Sequence, residues 1–390
     1  MTNASTRRTV IFAGGGTGGH LFPGIAVAHE LLAREPDARV FFVGSQKPIE
    51  VGIVGGAGFE HVPLQSVSPS LTPARIGPSL LKNWRAYRQA RAIMARERPN
   101  FVVGLGGFAS VPPVLAAWRA GVPIVLLEQN VVPGKATRWL SRFADTVCLP
   151  WAETAKHLSP RIRTVVTGNP IRREIAELAS KDSQTGEPGS VSPRTLGENH
   201  FRGLTPPGSP TLLILGGSQG ATSLNASVLD ALATLQTELT GWRIVHQTGA
   251  ADLDAIRQRY AALSLAADVQ PFFLDMAEQY RRATCVVSRA GATTLAELAC
   301  AGLPALLVPL PTSAHDHQRL NARLFADHSA ALVAEPASPA ADSLRASLVQ
   351  LLSDQPLRDR LRQNLRALAK PQAAIAVVEV LRQPPKCWHE

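Results

Sequence analysis

The chain has 390 residues, of which 45% are hydrophobic, typical of a globular protein with two domains of ordinary size. Its formal net charge is +10 and arginine carries the excess, which allows nucleic acid, an anionic membrane surface or a phosphorylated substrate as a partner. RRM and zinc-finger signatures are absent, and most basic residues fall on predicted helices without interleaved aromatic residues, so we expect no nucleic acid. No apolar run approaches the ~20 residues of a membrane-spanning helix.

The cysteines and the N-terminal segment indicate a cytosolic chain or one bound to a membrane surface. Cys148, Cys285, Cys300 and Cys387 are widely spaced and include no CxxC pair. The first three lie in apolar runs or in a predicted helix, which favours buried thiols over disulfides or metal ligands. The apolar run before the first glycines is too short for the core of a signal peptide.

The first half of the chain predicts a parallel sheet. Short apolar runs alternate with helical stretches, and such βα units build a doubly wound sheet with helices on both faces. The predicted strands are 10–13, 40–43, 101–104, 124–127 and 146–149.

A glycine-rich loop, Gly14-Gly15-Gly16-Thr17-Gly18-Gly19-His20, follows the first strand and precedes a helix start. Glycines let the backbone approach a ligand and the helix N-terminus presents N–H groups to an anion, so the loop predicts a phosphate site. The same letters satisfy G-x-G-x-x-G, but the second strand ends in Gly44-Ser45-Gln46, without the acid that holds a dinucleotide ribose. The pattern therefore argues against a dinucleotide-dependent dehydrogenase.

His20 is a candidate general base. A phosphate loop has no need of an imidazole at its end, and an imidazole titrates near neutrality, which suits proton removal from a sugar hydroxyl. The alternative is that His20 only caps the helix or bonds to the loop. Glu128 is the next candidate for the base.

Residues 75–98 combine basic and apolar side chains and include a single acidic residue, Glu97. Basic residues beside leucine and tryptophan suit the surface of an anionic bilayer. An amphipathic core helix with a solvated basic face is the alternative. The basic residues are Arg75, Lys82, Arg85, Arg88, Arg91, Arg96 and Arg98.

Residues 180–209 are rich in Ser, Thr, Gly, Pro and charged residues, as in a linker or disordered insertion.

After this insertion the pattern of strand, glycine loop and helix repeats, which predicts two Rossmann-like α/β domains facing each other across a cleft. Further strands are predicted at 212–215, 243–246, 269–273, 285–288, 304–309 and 331–334, and a last helix at 373–381. The predicted divisions are an N-terminal domain 1–170, a linker 171–209, a C-terminal domain 210–370, and a segment 371–390 that packs back on the first domain.

The stretch from Ser288 to Glu297 follows a strand and opens a helix. Its first turn offers N–H groups and two hydroxyls beside Arg289, which suits a pyrophosphate. Glu297, about one turn into the helix, can accept hydrogen bonds from both hydroxyls of a ribose. The alternative is an acid that stabilises the helix N-terminus.

For three other polar motifs, ligand or metal binding competes with an ordinary structural role. Arg172 could reach a phosphate or lie solvated where the first domain ends. Asp252-Leu253-Asp254 has a spacing that can hold a divalent metal, but its place before a helix favours an N-cap. His315-Asp316-His317 lies in a proline-bounded loop without a third ligand, which favours a polar loop.

Together these motifs resemble the MurG family of bacterial glycosyltransferases over nearly the whole chain. The resemblance implies a GT-B fold and transfer, with inversion, of N-acetylglucosamine from UDP-N-acetylglucosamine to undecaprenyl-pyrophosphoryl-N-acetylmuramoyl-pentapeptide (lipid I to lipid II). The motifs that carry it are Gly15 to His20 with Phe22-Pro23-Gly24, Gly104-Leu105-Gly106-Gly107-Phe108, Glu128-Gln129-Asn130, Gly168-Asn169-Pro170-Ile171-Arg172, Gly216-Gly217-Ser218-Gln219-Gly220 and 289–297.

The resemblance also implies the binding residues. It puts the uracil near the backbone of Phe273 and the ribose at Glu297, needs no cofactor or metal, and puts the acceptor lipid at the glycine loops of the first domain. The basic stretch would dock peripherally on the cytoplasmic face of the inner membrane. The implied donor-site residues are Thr17, Gly18, Gly19, Asn130, Arg172, Ser218, Arg289, Ala292, Thr293, Thr294, Leu295, Ala296, Glu297 and Gln318.

Some positions depart from the family pattern. Leu127 replaces a histidine that some members carry and Phe108 replaces a frequent tyrosine, while Arg319 could substitute for Gln318.

The rival hypotheses are a GT-B enzyme with another nucleotide sugar or a soluble acceptor, and a catalytically silent nucleotide-sugar-binding protein at the membrane.

Overall fold

The structure is a computed structural model that describes residues 7–16, 18–68, 73–181, 208–216, 220–311, 316–335 and 340–383, without the side chains of 73–75, 181 and 340–342. The chain forms two compact units, one of residues 1–172 with 370–390 and the other of residues 173–369. The sequence-based divisions at 170/171 and 370/371 fall within a few residues of these, whereas the one at 209/210 does not, because residues 173–181, predicted as linker, form α6 and α7 of the second unit. Most of the predicted insertion, residues 182–207, lies outside the described residues.

The first unit is built around a parallel sheet. Its described strands are β1 (Thr9–Gly14), β2 (Arg39–Ser45), β3 (Glu60–Leu64), β4 (Phe101–Gly106), β5 (Ile124–Leu127), β6 (Thr146–Leu149) and β7 (Thr164–Val166). They lie in the order β3-β2-β1-β4-β5-β6-β7. The helices between them are α1 (Gly18–Arg34), α2 (Pro48–Gly56), α3 (Pro73–Glu97), α4 (Val111–Arg119) and α5 (Lys135–Leu140), with 3₁₀ turns at Phe108–Ser110, Ser141–Phe143 and Ala152–His157.

The burial of β1 explains why this sheet has helices on both faces. All six of its residues are buried. Val10 and Phe12 join the apolar cluster on one face and Ile11 and Ala13 the cluster on the other, as strand alternation requires. The strand order reverses between β1 and β4, and doubly wound sheets open a crevice at such a point. The two glycine loops of this unit leave the sheet there.

The second unit repeats the architecture. Its described strands are β8 (Thr211–Leu215), β9 (Arg243–Gln247), β10 (Ala267–Gln270), β11 (Cys285–Ser288), β12 (Ala305–Leu307) and β13 (Leu332–Val333), in the order β10-β9-β8-β11-β12-β13. The order reverses between β8 and β11, which gives a second crevice. Its helices are α6 (Arg173–Ala176), α7 (Leu178–Lys181), α8 (Thr222–Leu232), α9 (Leu253–Ala262), α10 (Met276–Arg282), α11 (Ala292–Ala301), α12 (His317–Asp327), α13 (Ala340–Ser353) and α14 (Gln355–Leu368).

The last described helix, α15 (Ala373–Arg382), packs on α1 of the first unit. Val377 and Leu381 are fully buried in the same apolar cluster as Leu21 and Leu31 of α1. Ion pairs at the edge of this contact join Arg34 to Glu379.

Each predicted strand coincides with an observed one, with one shift. The run 269–273 was predicted as a strand, but β10 ends at Gln270, and the following residues leave the sheet. β3 and β7 are additional to the prediction. Cys148, Cys285 and Cys300 are buried, as predicted. Among the described residues, none of the helices combines the length and apolarity that crossing a membrane requires.

Candidate active site

The two glycine loops of the first unit lie against each other. A Cβ at Gly107 would stand 2.8 Å from the carbonyl oxygen of Gly15, and the residue has a φ of 72°. Only glycine avoids both the clash and the strain at this position. The loop after β1 and the loop after β4 therefore meet at the switch point of the sheet.

His20 lies over the carboxyl end of β4. A Cβ at Gly106 would stand 3.1 Å from Cδ2 and 3.5 Å from Nε2 of His20, and 3.6 Å from Oγ1 of Thr137. His20 is half-buried and lies two residues inside α1, so it is not the N-cap residue of that helix. This position at the crevice is compatible with the predicted role in proton transfer.

The N–H of Gly16 points away from any ligand. It donates a 2.6 Å hydrogen bond to Oε1 of Glu50, a fully buried carboxylate in the first turn of α2. The prediction that the N–H groups of this loop face an anion is therefore wrong for Gly16. Gly18 and Gly19 form the start of α1, with Gly18 buried and Gly19 exposed, while Thr17 lies outside the described residues.

Glu128 is occupied by its own loop. Its Oε1 accepts hydrogen bonds from the N–H groups of Gln129 and Asn130, both at 2.9 Å, and Oε2 accepts from the N–H of Gly134 at 3.1 Å. The side-chain amide of Asn130 adds a 3.3 Å bond to Oε1. These hydrogen bonds hold both carboxylate oxygens of Glu128 against its own loop. The geometry favours His20 over Glu128 for proton removal.

Arg172 packs on the first unit. Its guanidinium carbon lies 5.9 Å from the centre of the Phe22 ring on α1, and its side chain is half-buried. The side chain of Arg172 therefore lies against α1, and its contact with a phosphate stays a prediction.

Arg289 of the second unit binds protein groups. Its Nη1 donates to the carbonyl oxygens of Val308 at 3.0 Å and Pro309 at 3.3 Å, and its Nη2 donates to Oγ of Ser223 at 2.6 Å. The buried Nε has no hydrogen-bond partner within the described part of the chain. Burial lowers the pKa of the guanidinium, which indicates a partly desolvated site. Arg289 fixes the segment after β12.

The N-terminus of α11 begins without a side-chain cap. Its N-cap residue is Gly291, and the first-turn residues Ala292, Thr293 and Thr294 are half-buried. Leu295 and Ala296 turn into the core. The first N–H groups of a helix attract anions, so this end of the helix suits a phosphate.

Glu297 is a buried acid in the second turn of α11. It is 5% exposed, and its Oε2 accepts a 2.9 Å hydrogen bond from the hydroxyl of Tyr280 on α10. The alternative of an acid that stabilises the helix N-terminus is wrong, because that interaction falls off within the first turn. Tyr280, which the sequence analysis did not identify, orients the carboxylate.

The segment around Phe273 combines a buried anchor with exposed neighbours. The N–H of Phe273 donates to Oε1 of Gln247, at the end of β9, at 3.3 Å, and its ring is buried. Phe272 and Leu274 on either side are 42% and 92% exposed. An exposed apolar pair held in place by a buried residue can cover one face of a flat ring.

Gln318 and Arg289 converge on the same segment. Oε1 of Gln318 accepts a 2.9 Å bond from the N–H of Leu310, directly after the two carbonyls that bind Arg289. Arg319 instead forms an exposed ion pair with Glu335 at 3.4 Å. The geometry gives no support to Arg319 as a substitute for Gln318.

Two models of glycosyltransferase family 28 match the chain, the N-terminal domain over residues 10–149 and the C-terminal domain over residues 211–376. A protein of Pelobacter propionicus is 39% identical over 386 residues, with 96% of this chain and 99% of that protein covered. One of Trichlorobacter lovleyi is 38% identical over 378 residues, with 95% and 96% covered. Both are named UDP-N-acetylglucosamine--N-acetylmuramyl-(pentapeptide) pyrophosphoryl-undecaprenol N-acetylglucosamine transferase.

The crystal structure of Acinetobacter baumannii MurG matches with a TM-score of 0.72 at 28% identity, over 96% of this chain and 99% of that one. This chain belongs to the MurG family. Its two α/β domains with parallel sheets are those of the GT-B fold, as the resemblance implied. Ser218, which the MurG resemblance implies at the donor site, lies outside the described residues.

The described residues of the two metal-like motifs lie at the starts of α9 and α12. Asp252 precedes α9 but makes no side-chain cap bond; its carboxylate accepts from Asn225 at 2.8 Å and from Thr222 at 3.1 Å. The expected N-cap bond is therefore wrong, although the position is right. Asp316 precedes α12 with a φ of 56°, and His315 lies outside the described residues. No cluster of three His, Cys, Asp or Glu residues suited to a metal occurs in the described ranges.

Helix α3 carries the basic and apolar residues of this MurG chain on its exposed side. Ala86, Ala90, Ile93 and Met94 face the core, whereas Trp84 is 54% exposed. This buried face fits the alternative of an amphipathic core helix with a solvated basic face, while the exposed apolar side chains are those expected of a membrane-docking surface. The other exposed apolar residues are Ile76, Leu80 and Leu81, and the exposed basic ones are Lys82, Arg85, Arg88, Arg91, Arg96 and Arg98; the side chain of Arg75 lies outside the described residues.

Proposed function

We propose that this chain transfers N-acetylglucosamine from UDP-N-acetylglucosamine to undecaprenyl-pyrophosphoryl-N-acetylmuramoyl-pentapeptide, the conversion of lipid I to lipid II in peptidoglycan synthesis. The names of the full-length relatives support this substrate pair. One observation of the structure carries the donor half of the proposal: the buried Glu297, held by Tyr280, lies one turn behind the uncapped N-terminus of α11. That arrangement suits a nucleoside diphosphate.

On the donor side, the second unit binds UDP. The N-terminus of α11 receives the pyrophosphate, and Glu297 accepts hydrogen bonds from the ribose hydroxyls. The guanidinium of Arg289, two residues before the N-cap Gly291, adds positive charge beside the same helix end. As the bond to the sugar breaks, these groups stabilise the negative charge that develops on the leaving diphosphate.

On the acceptor side, His20 is the general base. Nε2 of the neutral imidazole takes the proton of the attacking sugar hydroxyl, and the hydroxyl oxygen forms the new bond to the anomeric carbon. The electron pair of the broken bond leaves with UDP, so the α-linkage of the donor becomes a β-1,4 linkage in one displacement. The switch-point crevice of the first unit is the proposed seat of the acceptor.

Helix α3 brings the enzyme to its lipid substrate. Its exposed side combines Trp84, Leu80 and Leu81 with arginines, and Arg88 lies 5.0 Å from the centre of the Trp84 ring. Aromatic and aliphatic side chains insert at the headgroup boundary while basic ones attract anionic lipid. We expect peripheral binding to the cytoplasmic face of the inner membrane.

A ligand screen followed by turnover tests the proposal. A ligand present at 100 times its dissociation constant adds about 2.7 kcal/mol of stability. UDP and UDP-N-acetylglucosamine should raise the melting temperature, and ADP and NAD should not. Turnover of the lipid-linked acceptor then separates the enzyme from a silent nucleotide-sugar-binding protein. Stabilisation by NAD and not by UDP would contradict the proposal.

A further inference from the structure

A buried carboxylate lies behind the glycine-rich loop of the first unit. Glu50 is 0% exposed, and its Oε1 accepts from the N–H of Gly16 at 2.6 Å. The N–H of Ser45 donates to Oε2 at 2.7 Å, and the hydroxyl of Ser45 donates to Oε1. Glu50 therefore joins the end of β2 to the loop after β1, and it does so from a position that no substrate reaches.

The backbone is shaped to admit this carboxylate. A Cβ at Gly15 would stand 2.3 Å from Oε2 of Glu50, and one at Gly44 would stand 2.6 Å from the same oxygen. Neither position tolerates a side chain while Glu50 keeps its place. The presence of glycine at residues 15 and 44 thus follows from the contact with Glu50 as well as from ligand approach.

Glu50 is ionised in this enclosure. Burial by itself raises the pKa of the carboxyl, but the His61 imidazole and the donors of Ser45 and Gly16 lower it, and the net direction is down. Nε2 of His61, which is also buried, lies 3.7 Å from Oε2. An ionised acceptor makes stronger hydrogen bonds to backbone N–H groups than a neutral one.

We propose that Glu50 is a positioning residue for the reaction, because it fixes the loop that leads into α1 and thereby sets where His20 stands over Gly106. The proposal rests on the proposed function, in which His20 takes the acceptor proton. Gly16 precedes the first residue of α1 by only two positions, and His20 lies in the first turn. A shift of Gly16 therefore displaces the imidazole directly.

The decisive variant is Glu50→Gln, which has the same size and no charge. The amide nitrogen cannot accept, so it must face the N–H of either Gly16 or Ser45, donor against donor. Backbone hydrogen exchange should become about tenfold faster or more at Gly16 or at Ser45, whichever N–H the amide nitrogen faces, since a bond to a charged acceptor is lost. The kcat should fall by about 10- to 100-fold with little change in the donor KM, because the imidazole is misplaced.

Glu60→Gln is the matched control. Glu60 lies on β3, is exposed, and contacts Arg39 on the surface at 3.6 Å, so the same chemical change there should leave exchange at Gly16 and Ser45 and kcat unaltered. Ser45→Ala removes a single donor to Glu50 and should give smaller changes in the same direction. It keeps the proposal testable if Glu50→Gln does not fold.

Two results would overturn the proposal. Unchanged exchange both at Gly16 and at Ser45 would mean that Glu50 does not hold the loop. A lower melting temperature with unchanged kcat per folded molecule would mean that Glu50 only stabilises the fold. The exchange experiment needs no substrate, so a failure of the proposed function, seen as no turnover by the unaltered protein, is distinguishable from a failure of this inference.

Discussion

The hydroxyl of Tyr280 donates a 2.9 Å hydrogen bond to Oε2 of Glu297, and both side chains are buried. The two residues come from successive helices, α10 and α11, so the bond fixes the acid relative to the uncapped N-terminus of α11. A carboxylate held in this way can accept ribose hydroxyls without losing further side-chain freedom.

Glu297→Ala should weaken donor binding more than it slows the reaction. A buried ribose left without its acceptor costs on the order of 1–3 kcal/mol, which corresponds to an increase of the donor KM by about 5- to 150-fold. Steady-state kinetics with varied UDP-N-acetylglucosamine measure it. Glu278→Ala, at an acid on α10 that pairs with Arg282, is the control and should leave the donor KM unchanged. An unchanged donor KM in Glu297→Ala would exclude the ribose contact.

Reversing the charge of Arg85 and Arg88 should weaken binding to vesicles rich in anionic lipid. Each basic residue near such a surface contributes about 1 kcal/mol, so binding should fall at least tenfold. Activity on a short-chain, water-soluble acceptor should survive. Reversal at Lys156 and Arg161, exposed residues of the same unit outside α3, is the control. Equal binding by both double variants would mean that α3 has only a solvated basic face.

The stability of the second unit should fall in acid through His246. Burial lowers the pKa of His246 to about 4 from its ordinary 6.5; Nδ1 contacts the Tyr260 hydroxyl, Nε2 contacts Asn225, and the charge of Asp252 opposes the shift. Below pH 6.5 the unfolded chain takes up a proton that the folded chain does not. The free energy of unfolding should therefore fall by up to ~3 kcal/mol between pH 6.5 and 4.

Denaturant titrations at pH 7, 5.5 and 4.5 measure this decline. In His246→Gln the fall in the free energy of unfolding should be smaller by the part that protonation of His246 causes, although the variant is less stable throughout. His157→Gln, at an exposed histidine, should keep the full decline. The same decline in all three proteins would contradict the assignment to His246.

The sequence predicts most of the sheets because central strands of a doubly wound fold are continuous apolar runs. β3 escaped the prediction because Glu60-His61-Val62-Pro63-Leu64 begins with two polar residues and contains a proline, which an edge strand tolerates. The motif residues of the site were likewise visible as local patterns. The residues that hold them in place were not visible in the sequence. Glu50 is 34 residues from Gly16 and Tyr280 is 17 from Glu297, and only the packed fold brings these pairs together.

The rate of transfer to the lipid-linked acceptor by His20→Asn, compared with the unaltered chain, tests the central claim most directly. Asparagine can keep a hydrogen bond at this position but cannot take a proton, and a general base contributes about 10²–10⁴-fold in rate. We expect kcat to fall by that factor in His20→Asn and in His20→Ala, with the donor KM nearly unchanged. A variant His20→Asn that retains most of the rate would contradict the account of the active site.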